Sequence, residues 1–262
     1  MFISEKFILN KRTSDSMGVI LITESNNDIL FNDYGFMYSE TIEKVKSYND
    51  NPSFFKSEKD TSEIVLKICL VDGNYVPKKW TDYDIEEICA WIKTDDFVEF
   101  ISEDNVELIY YVKATKIAKK FTDNLEGYLE VTFQPFTNFA YKSDVKTITI
   151  KENIERKIII NNKSNVEESY MPVVELTNLG DESTVNIIKN ISIENEQFEI
   201  TGIEKNEKVI IDNLYCTVID SKGKNKFEKC NRHWLRLKKG ENELKIKGNC
   251  KLTIKSKYPI LT

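Results

Sequence analysis

The sequence has few of the residues that most often build catalytic and metal sites. It contains one histidine, His233, and no two of its five cysteines stand at C-x-x-C spacing. Zinc sites and dithiol redox centres usually need paired cysteines or several histidines, so neither kind of site is expected. The odd number and wide scatter of the cysteines suit a reducing cytosol. The five cysteines are Cys69, Cys89, Cys216, Cys230 and Cys250.

Catalytic and nucleotide-binding motifs are missing as well. The sequence has no G-x-S-x-G nucleophile elbow and no D-x-D-x-D-G calcium loop, and residues 222–225 lack the glycine spacing of a phosphate loop. Acid pairs such as Asp95-Asp96 and Glu167-Glu168 lie in polar connections, where solvated surface is far commoner than a glycosidase pair. We therefore expect no enzyme activity, no metal and no cofactor.

Long apolar runs and an excess of positive charge are also absent. No run approaches the about 20 apolar residues that cross a bilayer, and residues 2–6 lack the apolar segment of a signal peptide. The formal net charge of -6 opposes a nucleic-acid or anionic-membrane surface, since either would need a basic face. We expect synthesis in the cytoplasm without a signal peptide, and neither a nucleic-acid nor a membrane partner.

The residues that are present suffice for two hydrophobic cores. Of 262 residues, 40% are hydrophobic, which favours two domains over one. The best helix signal follows Thr81 or Asp82, either of which can cap a helix. Apolar residues then recur at i, i+3, i+4 and i+7, with Trp91 beside the stripe. The stripe consists of Ile85, Ile88, Cys89 and Ile92.

Strand patterns surround this helix and dominate both halves of the chain. Phe97–Ile101 and Glu107–Val112 flank an acidic turn, and Tyr128–Phe133 alternates until Pro135 stops it, because proline cannot donate to a sheet ladder. From residue 147 to residue 255, short alternating strands and turn signals predict a second sandwich. The predicted fold class is mainly β: an N-terminal β-sandwich or barrel-like domain with one packed helix, residues 1–142, and a C-terminal β-sandwich, residues 143–262.

Four short motifs follow one another in the first half of the chain: Trp91-Ile92 in the helix, the strand Ile109–Val112, the strand start Gly127-Tyr128 and the exit Pro135-Phe136. Their order resembles that of phage distal tail proteins, the Dit-like baseplate hub proteins. Proteins of this family carry a W-L pair in the helix, an I-Y-Y-A-type strand, a G-Y strand and an exit after a proline. The second half looks like the family's C-terminal domain. Its segments Pro172–Gly180, Val209–Asp212 and Leu237–Leu244 resemble the P-x-h-x-h-x-N-x-G (h, hydrophobic), I-x-I-D and L-x-x-G-x-N-x-h patterns, with Val209 in place of the first isoleucine.

The resemblance implies a fold, a function and partners. The N-terminal domain would form a hexameric ring, and the C-terminal domain would be a galectin-like β-sandwich. The ring would be a hub at the distal end of the tail tube that connects it to tail-tip and baseplate proteins. The implied partners are other copies of the chain, the tail tube protein and the tail-tip proteins, and the implied location is the tail of a virion or phage-tail-like particle.

A polar stretch at residues 46–60 is predicted to be a long loop that contains Pro52, Phe54 and Phe55. Loops of this length are uncommon unless they have a function. Either one phenylalanine packs onto its own core, or the loop lies across a neighbouring subunit of the ring. The second alternative makes these three residues candidates for the subunit interface.

The cluster Arg232-His233-Trp234 suggests a carbohydrate contact, because galectins bind sugars through His, Asn, Arg and a stacking Trp. The extended galectin motifs H-x-N-x-R and W-G-x-E are absent, so we favour Trp234 as a half-buried anchor of its loop. The alternative function is a carbohydrate-binding adhesin module that recognises a host cell surface. A hydrolase is disfavoured by the missing motifs.

Overall fold

The structure is a computed structural model that describes residues 4–22, 38–46, 52–61, 63–151, 154–193 and 196–261. It is mainly β and has one α-helix among these residues, which confirms the predicted fold class. The chain divides between Ala140 and Tyr141 into two compact units. The sequence placed this boundary after residue 142. No helix in the described ranges is long and apolar enough to cross a membrane.

Unit 1 is built on an antiparallel sheet with strand order β3-β6-β9-β8-β7-β1-β2. The Leu21 N–H donates to the Glu5 carbonyl at 2.8 Å, so β3 lies beside the residues that lead into β1 and the sheet curls back on itself. The elements of unit 1 are β1 Phe7–Leu9, β2 Arg12–Thr13, β3 Val19–Leu21, β4 Tyr38–Lys46, β5 Pro52–Thr61, β6 Ile64–Leu70, α1 Asp82–Ile92, β7 Val98–Ser102, β8 Leu108–Phe121 and β9 Gly127–Pro135.

Helix α1 covers the core of unit 1. Thr81 is the N-cap and forms a reciprocal capping box with Asp84, which satisfies two amides that the first turn leaves open. Trp91 is buried, donates its indole N–H to the Leu9 carbonyl at 3.1 Å and stacks on Phe7 at a centroid distance of 5.7 Å. The helix therefore contacts the first strand through Trp91. The sequence analysis placed Trp91 only beside the buried stripe.

Unit 2 is a sandwich of two antiparallel sheets, with strand orders β16-β15-β12-β18-β10 and β11-β17-β13-β14. Inward-facing aliphatic side chains of both sheets form its core, including Leu176, Val209, Leu244 and Leu252, all fully buried. The strands are β10 Phe139–Ile150, β11 Arg156–Asn162, β12 Val173–Asn178, β13 Asn186–Asn190, β14 Glu196–Ile200, β15 Lys208–Asp212, β16 Thr217–Asp220, β17 Gly240–Lys247 and β18 Cys250–Leu261.

The last two strands, β17 and β18, are consecutive in the chain but belong to different sheets. Strand β17 pairs with β11 and β13, whereas β18 pairs with β12 and β10, so the chain crosses from one sheet to the other between them. The connection uses Gly248 at φ 138°, where an added Cβ would lie 2.2 Å from the Asn186 side-chain oxygen. Both strands alternate so regularly because each directs its apolar face into the same core from opposite sides.

The predicted end of one strand was wrong. Strand β8 continues to Phe121, well beyond the predicted end at Val112. Strand β16 begins only at Thr217, because Asp212 accepts hydrogen bonds from two amides of a turn before it. Strand β10 runs through the residues on both sides of the predicted domain boundary after residue 142.

Candidate interaction surfaces

Strands β4 and β5 form a two-stranded hairpin, where the sequence analysis predicted a long loop. Their pairing runs from Tyr38 opposite Thr61 to Lys46 opposite Pro52, and neither strand pairs with another strand in the described part of the chain. The predicted loop was therefore wrong in this segment. The charged residues of this segment are typical of a loop, and this is why it was not predicted as a strand. The register sets Glu43 opposite Lys56, and such a cross-strand pair cannot be recognised from one strand alone.

The three interface candidates lie on β5, close to an irregularity in the hairpin. Glu43 pairs with Lys56 and the next residue, Lys44, pairs with Phe54, so Phe55 has no partner on the opposite strand. An extra residue of this kind bends a strand and increases its twist. Pro52, at the beginning of β5, is the third candidate. Their role in a subunit interface remains a prediction.

The second set of candidates belongs to a layered stack on unit 2. The Trp234 ring lies 6.0 Å from Phe227 and 6.1 Å from Phe198, measured between centroids, and it is half-buried. The Arg232 guanidinium lies 4.8 Å from the centroid of Phe227. His233 is exposed. Because Trp234 packs between two phenylalanines, the geometry favours an anchoring role over an open platform for a sugar ring.

A groove of about 410 Å³ lies beside this stack and is lined by residues 224–229. Its central cation is already paired, since Lys226 bonds Glu207 at 2.6 Å and this hydrogen bond raises the pKa of Lys226. Glu228 adds a negative charge to the lining. Among the described residues, no group of three or more His, Cys, Asp or Glu side chains could hold a metal ion.

Buried asparagines hold the segment that carries Arg232, His233 and Trp234, and the sequence analysis missed them. Their side chains bond backbone groups of residues 235–238, and each is at most 2% exposed. The signal in the sequence is weak, because asparagine is usually a turn residue. The four bonds are Asn162 Nδ2 to Leu237 O, Asn190 Nδ2 to Arg236 O, Leu235 N to Asn213 Oδ1 and Asn242 Nδ2 to Lys238 O.

Comparison with family models identifies the chain. Residues 2–135 match the phage tail protein N-terminal domain, and residues 139–256 match the corresponding phage tail C-terminal domain. The chain belongs to this phage tail protein family. The two matched segments meet near the division between the two units, which follows Ala140.

This phage tail protein also resembles known proteins along nearly its whole length. It is 20% identical over 264 residues to the SPbeta prophage-derived protein YomH of Bacillus subtilis (strain 168), covering 98% of each chain. The Dit (gp 19.1) protein of phage SPP1 shares its fold with a TM-score of 0.65 at 10% identity, over 97% of this chain and 98% of that one. A chain of the phage P2 baseplate in its activated conformation with calcium has a TM-score of 0.52 at 12% identity, with the same coverage. The fold is therefore Dit-like.

Proposed function

We propose that this phage tail protein is a structural hub subunit at the distal end of the tail tube. Copies of the chain would form a hexameric ring that connects the tube to tail-tip and baseplate proteins. The observation that carries the proposal is the fold match to the SPP1 Dit protein, a hub protein of an adsorption apparatus, which spans both units. The protein would act by association and not by catalysis, as a component of a virion tail or phage-tail-like particle.

The β4–β5 hairpin supports a ring contact in particular. A two-stranded hairpin is at best marginally stable in water, and two unpaired edges invite pairing with another chain. In the described residues these two strands pair only with each other. A neighbouring subunit would supply the missing packing. Such a contact joins different patches on the two sides of each subunit, which is the type of interface that closes a ring.

The hairpin contact is tested by exchanging Phe54 and Phe55 for serine together. The wild-type protein, alone or with its tail tube protein, is expected to give a species six times the monomer mass in native mass spectrometry. The double variant is expected to stay monomeric, because it loses the two largest apolar side chains of β5. Phe136→Ser is the matched control, since Phe136 is 62% exposed and lies outside the hairpin.

Two results would count against this contact. One is a hexamer that survives the double substitution, and the other is equal loss of the hexamer in the Phe136→Ser control. The adhesin alternative receives no support from the stack around Trp234. It also provides no reason for a hairpin whose two strands pair only with each other in the described residues.

A further inference from the structure

Strand β11 presents one open backbone edge to solvent. It ends its four-stranded sheet and pairs only with β17 in the described chain. Opposite Ile159 lies Glu243, whose N–H bonds the Ser192 hydroxyl at 2.9 Å and whose carbonyl accepts the Ile191 N–H at 3.0 Å. Both groups of Glu243 thus point away from β11. In an antiparallel ladder, the N–H and C=O of Ile159 then point to the open side.

Two other outer strands of the sandwich, β14 and β16, are covered by the protein's own backbone. Segment 229–231 bonds Glu199 and Thr201 along β14, with N···O distances of 3.0 Å. Segment 225–226 lies along β16, where the Lys226 N–H bonds the Val218 carbonyl at 2.8 Å. Uncovered edges are where proteins pair with other chains. Among the described residues, β11 therefore differs from β14 and β16 in having no backbone segment along its outer edge.

The contact on the outer edge of β11 comes from a side chain and not from backbone. The Lys146 ammonium donates to the Ile159 carbonyl at 2.5 Å, and Lys146 is exposed. A lysine on an edge is a known obstacle to pairing with another strand. Unlike a covering segment of backbone, an exposed ammonium can return to water and free the carbonyl. Ile159 itself is 55% exposed, so an apolar side chain accompanies the open backbone.

We propose that β11 pairs antiparallel with β11 of a second copy of this chain, centred on Ile159, once Lys146 releases the carbonyl. Two-fold pairing sets Ile159 opposite its own equivalent and Lys157 opposite Asn161. It also sets Ile158 opposite Ile160, which is buried. No like charges face each other, and isoleucine meets isoleucine, the arrangement that favours cross-strand pairs. Because the strand is complementary to itself, we expect its partner to be a second copy of this chain.

This contact goes beyond the proposed ring and is independent of it. The ring contact uses the hairpin of unit 1 and different patches on its two sides, whereas the β11 contact uses the same patch on both partners. It would join subunits in pairs and continue one four-stranded sheet into another. The test is therefore made with the full chain carrying the two hairpin serine substitutions, so that loss of the ring cannot mask the pairing.

Sedimentation velocity over a concentration series measures the pairing in this background. Lys146→Ala is expected to lower the dimer dissociation constant by about tenfold, because the Ile159 carbonyl no longer has a charged donor to give up. Adding Ile159→Lys to the Lys146→Ala variant is expected to abolish the dimer, because it places two lysine side chains opposite each other at the two-fold axis. Ile219→Lys is the matched control, because Ile219 is 36% exposed on the covered edge strand β16.

Three outcomes would overturn the proposal. Lys146→Ala could remain monomeric throughout, which would leave the edge to a strand of a different protein or to solvent. Its dimer could also persist after Ile159→Lys, or be lost equally after Ile219→Lys. Unchanged far-ultraviolet circular dichroism of each variant shows that the fold is intact, as expected for exposed positions.

Discussion

Replacing Trp91 by alanine is expected to lower the free energy of unfolding by about 3–5 kcal/mol, the usual cost of removing a buried tryptophan. Trp91 is 6% exposed and stacks on Phe7. Its indole N–H also satisfies the Leu9 carbonyl, which would lose this bond. The substitution thus leaves a cavity between helix α1 and the first strand and removes the side-chain hydrogen bond between them. Urea denaturation followed by circular dichroism measures the loss.

The matched control for this prediction is on the same helix. Tyr83 is 72% exposed, so Tyr83→Ala removes a large aromatic ring without opening the core. Its effect is expected to stay within about 0.5 kcal/mol. If the two variants lost similar stability, or Trp91→Ala lost less than about 1 kcal/mol, the packing of α1 on the sheet described above would be wrong.

Asn213→Ala is expected to destabilise unit 2 by about 2–4 kcal/mol, because each buried polar group left without a partner costs about 1–3 kcal/mol. Asn213 is 1% exposed. Its Nδ2 donates to the Pro172 carbonyl at 2.5 Å, and its Oδ1 accepts the Leu235 N–H at 2.8 Å. Alanine removes both bonds and leaves the two backbone groups without their partner. Thermal and urea denaturation of unit 2 measure the change.

An exposed asparagine gives the comparison. Asn225 accepts the Phe227 N–H at 2.7 Å but is exposed, so water replaces the bond in Asn225→Ala. The expected cost is below about 1 kcal/mol. A mild effect of Asn213→Ala, close to that of Asn225→Ala, would show that the segment before β17 is not held by buried amides.

Local signals made some elements of this fold predictable. Helix α1 follows from the Thr81 cap and a regular apolar stripe, and β9 follows from strict alternation that ends at Pro135. Both signals lie within about ten residues, so no other part of the chain is needed to interpret them. Gly240, in the L-x-x-G-x-N-x-h pattern, adopts a positive φ of 79°, a conformation that glycine takes at little cost.

Elements whose bounds or pairing depend on a strand far away in the sequence could not be predicted in the same way. Strand β5 carries charges that match residues of β4, and β8 extends through lysines on its exposed face. The crossing between β17 and β18 depends on which sheet each strand joins, because alternation alone fits a hairpin equally well.

For the candidate surfaces, too, the sequence predicted some features and missed others. The sequence identified Arg232 and Trp234 as neighbours, but it could not show that Phe198 and Phe227 stack against Trp234. It identified Phe54 and Phe55 as a notable pair, but it placed them in a loop instead of a hairpin. In both cases the residue types indicated which positions to consider, but the sequence did not show which structural element holds those residues.

Negative-stain imaging of the purified protein, with classification of the particles, tests the proposed hub ring most directly. The account predicts closed rings of six subunits around a central channel. Single subunits at every concentration, even with the tail tube protein present, or open filaments in place of rings, would contradict it.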